Sequence, residues 1–255
     1  MKKNRIVALT KLSEDRKAEV RSLEAACRAV DGTEAVVELT NELNFSRRLK
    51  CFFLYYEEGE LTGFMGVFCP DGKTAEIQAF TAPAKRRMGV FTTLLEPAGE
   101  ELKYNNVQQV YFVAEPVSEA AAKTAEAMRM KRCYSELVMR HEGDGTVPVS
   151  YFTLSCAADE EGLKYTLFDG DAEVGTAGVY VGGRELFIYG VEIKESERGK
   201  GYGTALTELL IRDLMRSHPD KQIKLQVRSD NIPAMRIYER LGFVVESERI
   251  YYAIK

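Results

Sequence analysis

Three glycines at every second position, Gly199, Gly201 and Gly203, stand between a run that alternates like a strand and a run that repeats like a helix. Upstream, Leu186, Ile188 and Gly190 are set against Phe187, Tyr189 and Val191, and the strand runs on to Ile193. Downstream, residues 204–216 carry apolar side chains at helical spacing. This order constrains the fold strongly. Glycine permits backbone angles that a Cβ would block, and it lets the main chain approach a ligand closely. The turn opens a helix, so the unpaired first-turn amides and the positive end of the dipole face one anion. Arg198 and Lys200 add cationic charge at the rim. Such a cradle fits a pyrophosphate. A Rossmann fingerprint needs Gly-x-Gly-x-x-Gly, and a P-loop needs Gly-Lys-Ser/Thr. Lys200 is followed by Gly201, so neither pattern is met.

A second strand over residues 223–227 leads to Asn231, Ala234, Tyr238 and the pair Gly242-Phe243. With Arg198-x-x-Gly201-x-Gly203 before it, this arrangement resembles the GNAT superfamily of acyl-CoA-dependent N-acyltransferases. The likeness covers residues 165–255. It implies that the backbone around Arg198, Gly199, Lys200, Gly201, Tyr202, Gly203 and Thr204 holds the pyrophosphate of acetyl-CoA. Val191 and Ile193 would bond the pantetheine arm through their main chain. Asn231 and Ala234 would also contact the cofactor, and Tyr238 would be the general acid. Glu195 stands where many members have proline.

The first half reads as a distant copy of the second. Strands fit residues 5–9, 51–56, 61–69, 74–80 and 109–113; helices fit 13–30, 33–42, 90–103 and 118–128. Arg86-x-x-Gly89-x-Phe91 matches Arg198-x-x-Gly201-x-Gly203, with phenylalanine in the last glycine position. Aligning Arg129-Met130 with Gly242-Phe243 puts Ala125 opposite Tyr238 and Ser118 opposite Asn231. The first copy thus keeps most of a cradle and lacks the acid. The expected class is α/β (α+β), with two GNAT-like domains, each a mixed, largely antiparallel twisted sheet flanked by helices. Residues 1–141 are the degenerate domain, 142–149 a linker with two glycines and a proline, and 150–255 the transferase domain. The second copy leaves no room for the pair of helices that opens the first, and in the family those helices wall the acceptor site. The segment 151–156 alternates as a strand that could close the first sheet or begin the second.

Composition sets the remaining limits. Hydrophobic residues at 45% and charged ones at 29% are ordinary for a globular chain. No apolar run approaches the ~20 residues of a membrane span, and no apolar stretch follows Lys2-Lys3 as in a signal peptide. The five cysteines are widely spaced with no Cys-x-x-Cys pair, so neither a zinc site nor a disulfide frame is expected. They read as buried free thiols of a cytoplasmic protein. No basic patch with interleaved aromatics points to nucleic acid. Residues 1–140 carry net charge +1 and residues 141–255 net −5.

The chemistry follows from the acceptor. An alkylamine with a pKa of ~10.4 is about 99.9% protonated at neutral pH and must lose a proton before it attacks a thioester. A carboxylate could take that proton directly or through water. Glu192 is the candidate base, since alternation sets it on the face opposite Val191 and Ile193; a plain surface glutamate is the other reading. Gln226 lies on the next strand, where some family members have a catalytic carboxylate, and an amide cannot be that base. The resemblance implies that a backbone amide near Val191 faces the oxyanion. Tyr238 would protonate the departing thiolate or simply fill the core. His218 and His141 read as a helix-end charge and a linker residue. The expected activity is acetyl transfer from acetyl-CoA to a primary amine by direct attack in the C-terminal domain, with no metal. The alternative is a non-catalytic acyl-CoA sensor built on the same cradle. No nucleic acid or membrane partner is expected, and a homodimer is left open.

Overall fold

The structure is a computed structural model that describes residues 4–143, 151–159 and 162–254. The chain divides into two compact units, Met1–Cys133 with Arg249–Lys255, and Tyr134–Glu248. No helix among the described residues is long and apolar enough to cross a membrane.

The first unit holds β1 (Arg5–Leu9), α1 (Glu14–Asp31), β2 (Phe52–Glu57), β3 (Glu60–Phe68), β4 (Thr74–Thr81), α2 (Val90–Tyr104), β5 (Gln109–Ala114) and α3 (Glu119–Ala127). Neighbouring strands from β1 to β4 run antiparallel. β4 and β5 are parallel over four residues, from Thr74↔Gln109 to Ile77↔Phe112. Val20, Leu23 and Cys27 of α1 and Leu94, Ala98 and Leu102 of α2 are buried in one core with Phe64, Met65 and Ile77.

The second unit takes most of β6 (Lys131–His141), then β7 (Thr153–Asp159), β8 (Gly162–Asp169), β9 (Ala172–Val181), β10 (Glu185–Ile193), α4 (Tyr202–Ser217), β11 (Gln222–Arg228), α5 (Ile232–Arg240) and the start of β12 (Phe243–Ala253). β10 and β11 are again parallel over four residues, from Glu185↔Gln222 to Ile188↔Leu225. Leu206, Leu209, Leu210 and Leu214 bind α4 to the sheet through Leu186 and Ile188. Full burial of each such leucine is worth about 1.5–3 kcal/mol, so the helix and its N-terminus are firmly seated. Both α4 and α5 pack into this core. No helix among the described residues covers the opposite face within this unit.

Three features differ from the sequence reading. Residues 33–40 are not helical. Their amides are captured by carboxylates instead: Glu34 and Ala35 donate to Glu115, and Val37 donates to the buried Glu24. The units also part company with a division at residues 142–149. β6 has its ladder on β11 of the second unit, and Ile250–Ala253 at the end of β12 pair with β5 of the first. The first unit therefore takes its last strand from the end of the chain, and the second takes most of β6, which directly follows the helices of the first. Residues 144–150 of the expected linker lie outside the described residues. Finally, only Cys27, Cys51 and Cys69 are buried, while Cys133 and Cys156 are exposed; all five are free thiols. Burial pushes the Cys51 thiol up to about 12. β7 pairs with β8, so the segment following residue 151 belongs with the strands of the second unit.

Candidate functional site

The internal repeat is visible in the backbone. Each cradle begins with a 3-10 turn, Pro83–Lys85 in one copy and Glu195–Glu197 in the other, so the family proline is not needed for the turn to form. An arginine follows in extended conformation, with ψ 152° at both Arg86 and Arg198. Arg87 (φ 64°) matches Gly199 (φ 79°), and Gly89 (φ 81°) matches Gly201 (φ 88°). Both arginines send Nε back five residues, to the carbonyl of Thr81 at 3.3 Å and of Ile193 at 3.2 Å.

Helix capping divides the five helices into two groups. α1, α3 and α5 are capped by Ser13, Ser118 and Asn231, whose side chains accept from the third residue on. α2 and α4 follow the glycine turns and have no side-chain cap. The first main-chain bond of α4 runs from the Ala205 amide to the Gly201 carbonyl at 3.1 Å, and the amides of Tyr202, Gly203 and Thr204 make no hydrogen bond among the described residues. Four N–H groups at any helix start need partners, and the open space beside Gly199 and Gly201, where a Cβ would point, is where an anion can supply them. A pyrophosphate therefore fits the residues present.

The three glycines do not share one task. Gly199 and Gly201 hold positive φ with nothing within 4 Å of an added Cβ. At Gly203 an added Cβ would stand 3.2 Å from Cδ1 of Ile237, so this glycine lets α5 close on α4. Lys200 is paired with Glu197 at 2.9 Å. The Tyr202 hydroxyl donates to Asp169 at 2.5 Å, which raises its pKa. Thr204 accepts from Arg240 at 2.6 Å. Arg240 is a cation of the cradle that the sequence reading missed; only the packing of α5 on α4 brings it there. Asn231 accepts from the Ala234 amide at 3.3 Å, so its side chain already serves the helix.

Beyond Ile188 and Leu225 the parallel strands part. β10 then bulges: its register with β9 passes from Tyr189↔Gly178 to Glu192↔Thr176, skipping Gly190 and Val191. Gly190 takes φ 57° within the bulge. A bulge inserts one residue, bends the strand and leaves ladder groups unpaired. β4 has no such insertion. It runs in unbroken register from Gly63↔Thr81 to Phe68↔Glu76. Four residues separate Ile77 from Thr81 where five separate Ile188 from Ile193. In this alignment Gln78 answers to Tyr189 and Phe80 to Glu192.

Tyr238 sits on α5 at 7% exposure, with its ring edge-on to Phe243 at 5.8 Å. Burial raises its pKa above the ordinary tyrosine value. The hydroxyl makes no hydrogen bond among the described residues, yet no fully buried side-chain oxygen there lacks a partner. The ring is therefore in the core while the hydroxyl reaches accessible space. Ala125 holds the same place on α3 and is 2% exposed. Val191 and Ile193 pack against the core that contains Tyr238. Glu192 is exposed and makes no ion pair or hydrogen bond among the described residues. Gln226 donates to Glu136 across β6. His141 is 8% exposed and stacks edge-on with Phe243 at 5.1 Å, a core residue and not a linker group. No cluster of metal-ligating side chains occurs among the described residues.

In the first unit the parting of β4 and β5 leads into a cavity of about 1000 Å³. Thr81, Arg87, Gly89, Phe91, Phe112 and Lys123 are among its lining residues. Phe91 turns inward, edge-on to Phe112 at 5.2 Å. Arg86 is held by both oxygens of Asp31 at 2.7 and 2.8 Å.

The second unit thus brings together a split parallel strand pair, an uncapped helix behind a glycine turn and a tyrosine two turns along the next helix. Residues 130–243 match the acetyltransferase (GNAT) family, and the chain carries a domain of that family there. Mycothiol acetyltransferase of Corynebacterium glutamicum (strain R) is 38% identical over 87 residues, which cover 34% of this chain and 30% of that protein. The chain thus spans less than a third of that relative in the matched region. Mycothiol acetyltransferase of Saccharomonospora viridis is 27% identical over 95% of this chain and 96% of its own length. A tandem GNAT protein from the clavulanic acid biosynthesis pathway shares the fold, with a TM-score of 0.65 at 15% identity, covering 98% of each chain.

Proposed function

We propose that the second unit transfers an acetyl group from acetyl-CoA to a primary amine by direct attack. The observation that carries this reading is the one-residue bulge at Gly190 and Val191, set on the strand that opens beside an uncapped helix. Acetyl-CoA would supply the acyl group already activated as a thioester. The amides of Tyr202, Gly203 and Thr204, with the backbone at Arg198, Gly199, Lys200 and Gly201, would hold its phosphates. The bulge frees main-chain groups of β10 from both neighbouring ladders. An amide there can face the charge that develops on the acyl oxygen. Glu192 would accept the ammonium proton, directly or through water, since its carboxylate is exposed and has no partner among the described residues. The Tyr238 hydroxyl would donate to the departing sulfur; its raised pKa keeps it protonated at neutral pH. Asn231 would act by fixing the start of α5 and hence the place of Tyr238, with Ala234 on the same turn. The relatives named for mycothiol acetylation favour an acetyl donor.

A second reading attaches to the first unit. It has the cavity, the turn and an uncapped helix, and it lacks the bulge, the tyrosine and the carboxylate. Such a unit can hold a cofactor and has no equipment for transfer. Release of free CoA across a panel of amines tests the main reading. Turnover that survives Gly201→Val together with Tyr238→Phe would move catalysis to the first unit. Binding of acetyl-CoA with no transfer to any amine would favour a sensor.

A further inference from the structure

We propose that Tyr189 is the floor of the acceptor site and that the acceptor is a primary amine carried on a ring. This rests on the acetyl-transfer reading of the second unit. Tyr189 is the last residue of β10 before the bulge, and it points away from the core that holds Leu186 and Ile188. Its ring lies across β9, over Gly178. A Cβ at Gly178 would stand 2.3 Å from Cζ, 2.5 Å from Cε2 and 2.8 Å from Cε1 of Tyr189. Only glycine leaves that place free. The ring therefore lies down on the neighbouring strand and is half-buried there. Its hydroxyl has no hydrogen bond among the described residues, so a polar handle is also available.

The strip continues in both directions along the same face. Two pairs away, Phe187 lies opposite Tyr180, which is 58% exposed. Past the bulge, Glu192 lies opposite Thr176 and carries a carboxylate with no partner among the described residues. Aromatic faces, then an anion at the point where the thioester would emerge, match an ammonium attached to a ring. The ring face packs on Tyr189, as flat groups do on aromatic side chains, while the nitrogen reaches Glu192. The first unit lacks this strip. There Gln78 stands opposite Gly66, and Phe80 takes the place of Glu192.

The test is acetyl transfer at saturating acetyl-CoA, read as free CoA. Arylalkylamines form one arm, amino sugars the second, and straight-chain alkylamines the third. The expected result is a kcat/KM at least about tenfold higher for one of the ring arms than for the chains, and the better arm shows which ring is used. Tyr189→Leu fills the space without a flat face. It should raise KM for the ring amines about 3- to 10-fold, with kcat and acetyl-CoA affinity retained, in line with aromatic contact strengths. Tyr189→Phe should restore the preference. Gly178→Ala must displace the ring and should mimic Tyr189→Leu. Equal kcat/KM for rings and chains overturns the proposal, as does an unchanged KM in a folded Tyr189→Leu that has merely lost stability. If acetyl-CoA binds and no amine in any arm is acetylated, the transfer reading fails first and the floor fails with it.

Discussion

Replacing Tyr238 with phenylalanine separates a catalytic hydroxyl from a core ring. The ring is buried at 7% exposure and meets Phe243 edge-on at 5.8 Å, and phenylalanine keeps both features. Breaking a buried hydrogen bond usually costs about 1–3 kcal/mol, because a partner is left unsatisfied. Tyr238 has no such partner among the described residues. The stability change should therefore stay within about 0.5 kcal/mol, the range of a substitution that breaks no contact. The chemical step should behave differently, with kcat falling on the order of 10²–10⁴-fold, as for loss of a general acid. Acetyl-CoA affinity should hold. The pH dependence sharpens the test. Burial raises the Tyr238 pKa, so the acid is loaded below its ordinary value of ~10 and stays loaded somewhat above it. The wild type should show no alkaline fall from this group between pH 6 and 9. The raised pKa also links to stability: its contribution is complete below the unfolded-state pKa and is lost as pH rises through the folded one. Urea unfolding, calorimetric titration with acetyl-CoA and steady-state kinetics on one preparation give all three readings. Wild-type turnover in Tyr238→Phe refutes the acid assignment. A fall in kcat matched by a large loss of stability would show that the hydroxyl holds structure instead.

Other perturbations give clear outcomes. Gly201→Asn and Gly201→Val both fill the open space beside φ 88°, and each should weaken acetyl-CoA binding at least about tenfold, or about 1.4 kcal/mol. Asparagine tolerates the left-handed region and valine does not, so only valine should also lose roughly 1–2 kcal/mol of stability; calorimetry and urea unfolding separate the two effects. In Glu192→Gln the acceptor must lose its proton unaided, so kcat/KM should fall at neutral pH and recover as pH rises toward the amine pKa of ~10.4; a pH profile parallel to wild type rejects the base. Asp31→Asn removes the charge paired with Arg86 at 2.7 Å. With side-chain exposures of 24% and 14%, the pair should be worth about 1–3 kcal/mol to the first unit by urea unfolding, with acetyl transfer untouched.

The parts of this site that sequence reveals are those set by local backbone rules, and the parts it hides depend on which strand lies beside which. Gly199 and Gly201 are legible because positive φ at a strand-to-helix turn admits few other residues. Asn231 enters the sequence reading only through the family resemblance, as a cofactor contact, and the structure adds that its side chain caps α5. Arg240 follows no local rule and is found only where α5 rests on α4. Residues 33–42 have helical spacing, but tertiary carboxylates from Glu24 and Glu115 take the amides a helix would need. The exchange of last strands is likewise invisible locally. β6 and β12 are strands wherever they pair, and only the partners decide the boundary. The bulge is the instructive case. Set against its own repeat, β10 is one residue longer than β4 between matched landmarks, Ile188 to Ile193 against Ile77 to Thr81. A single inserted residue in a strand flips every later side chain to the other face unless a bulge absorbs it. Here the bulge absorbs it at Gly190 and Val191, keeping Ile193 and the cradle in phase with the first copy. It also frees the main-chain groups that the transfer chemistry calls for. The same one-residue difference thus preserves the fold common to both units and distinguishes the unit proposed to catalyse from the one proposed only to bind.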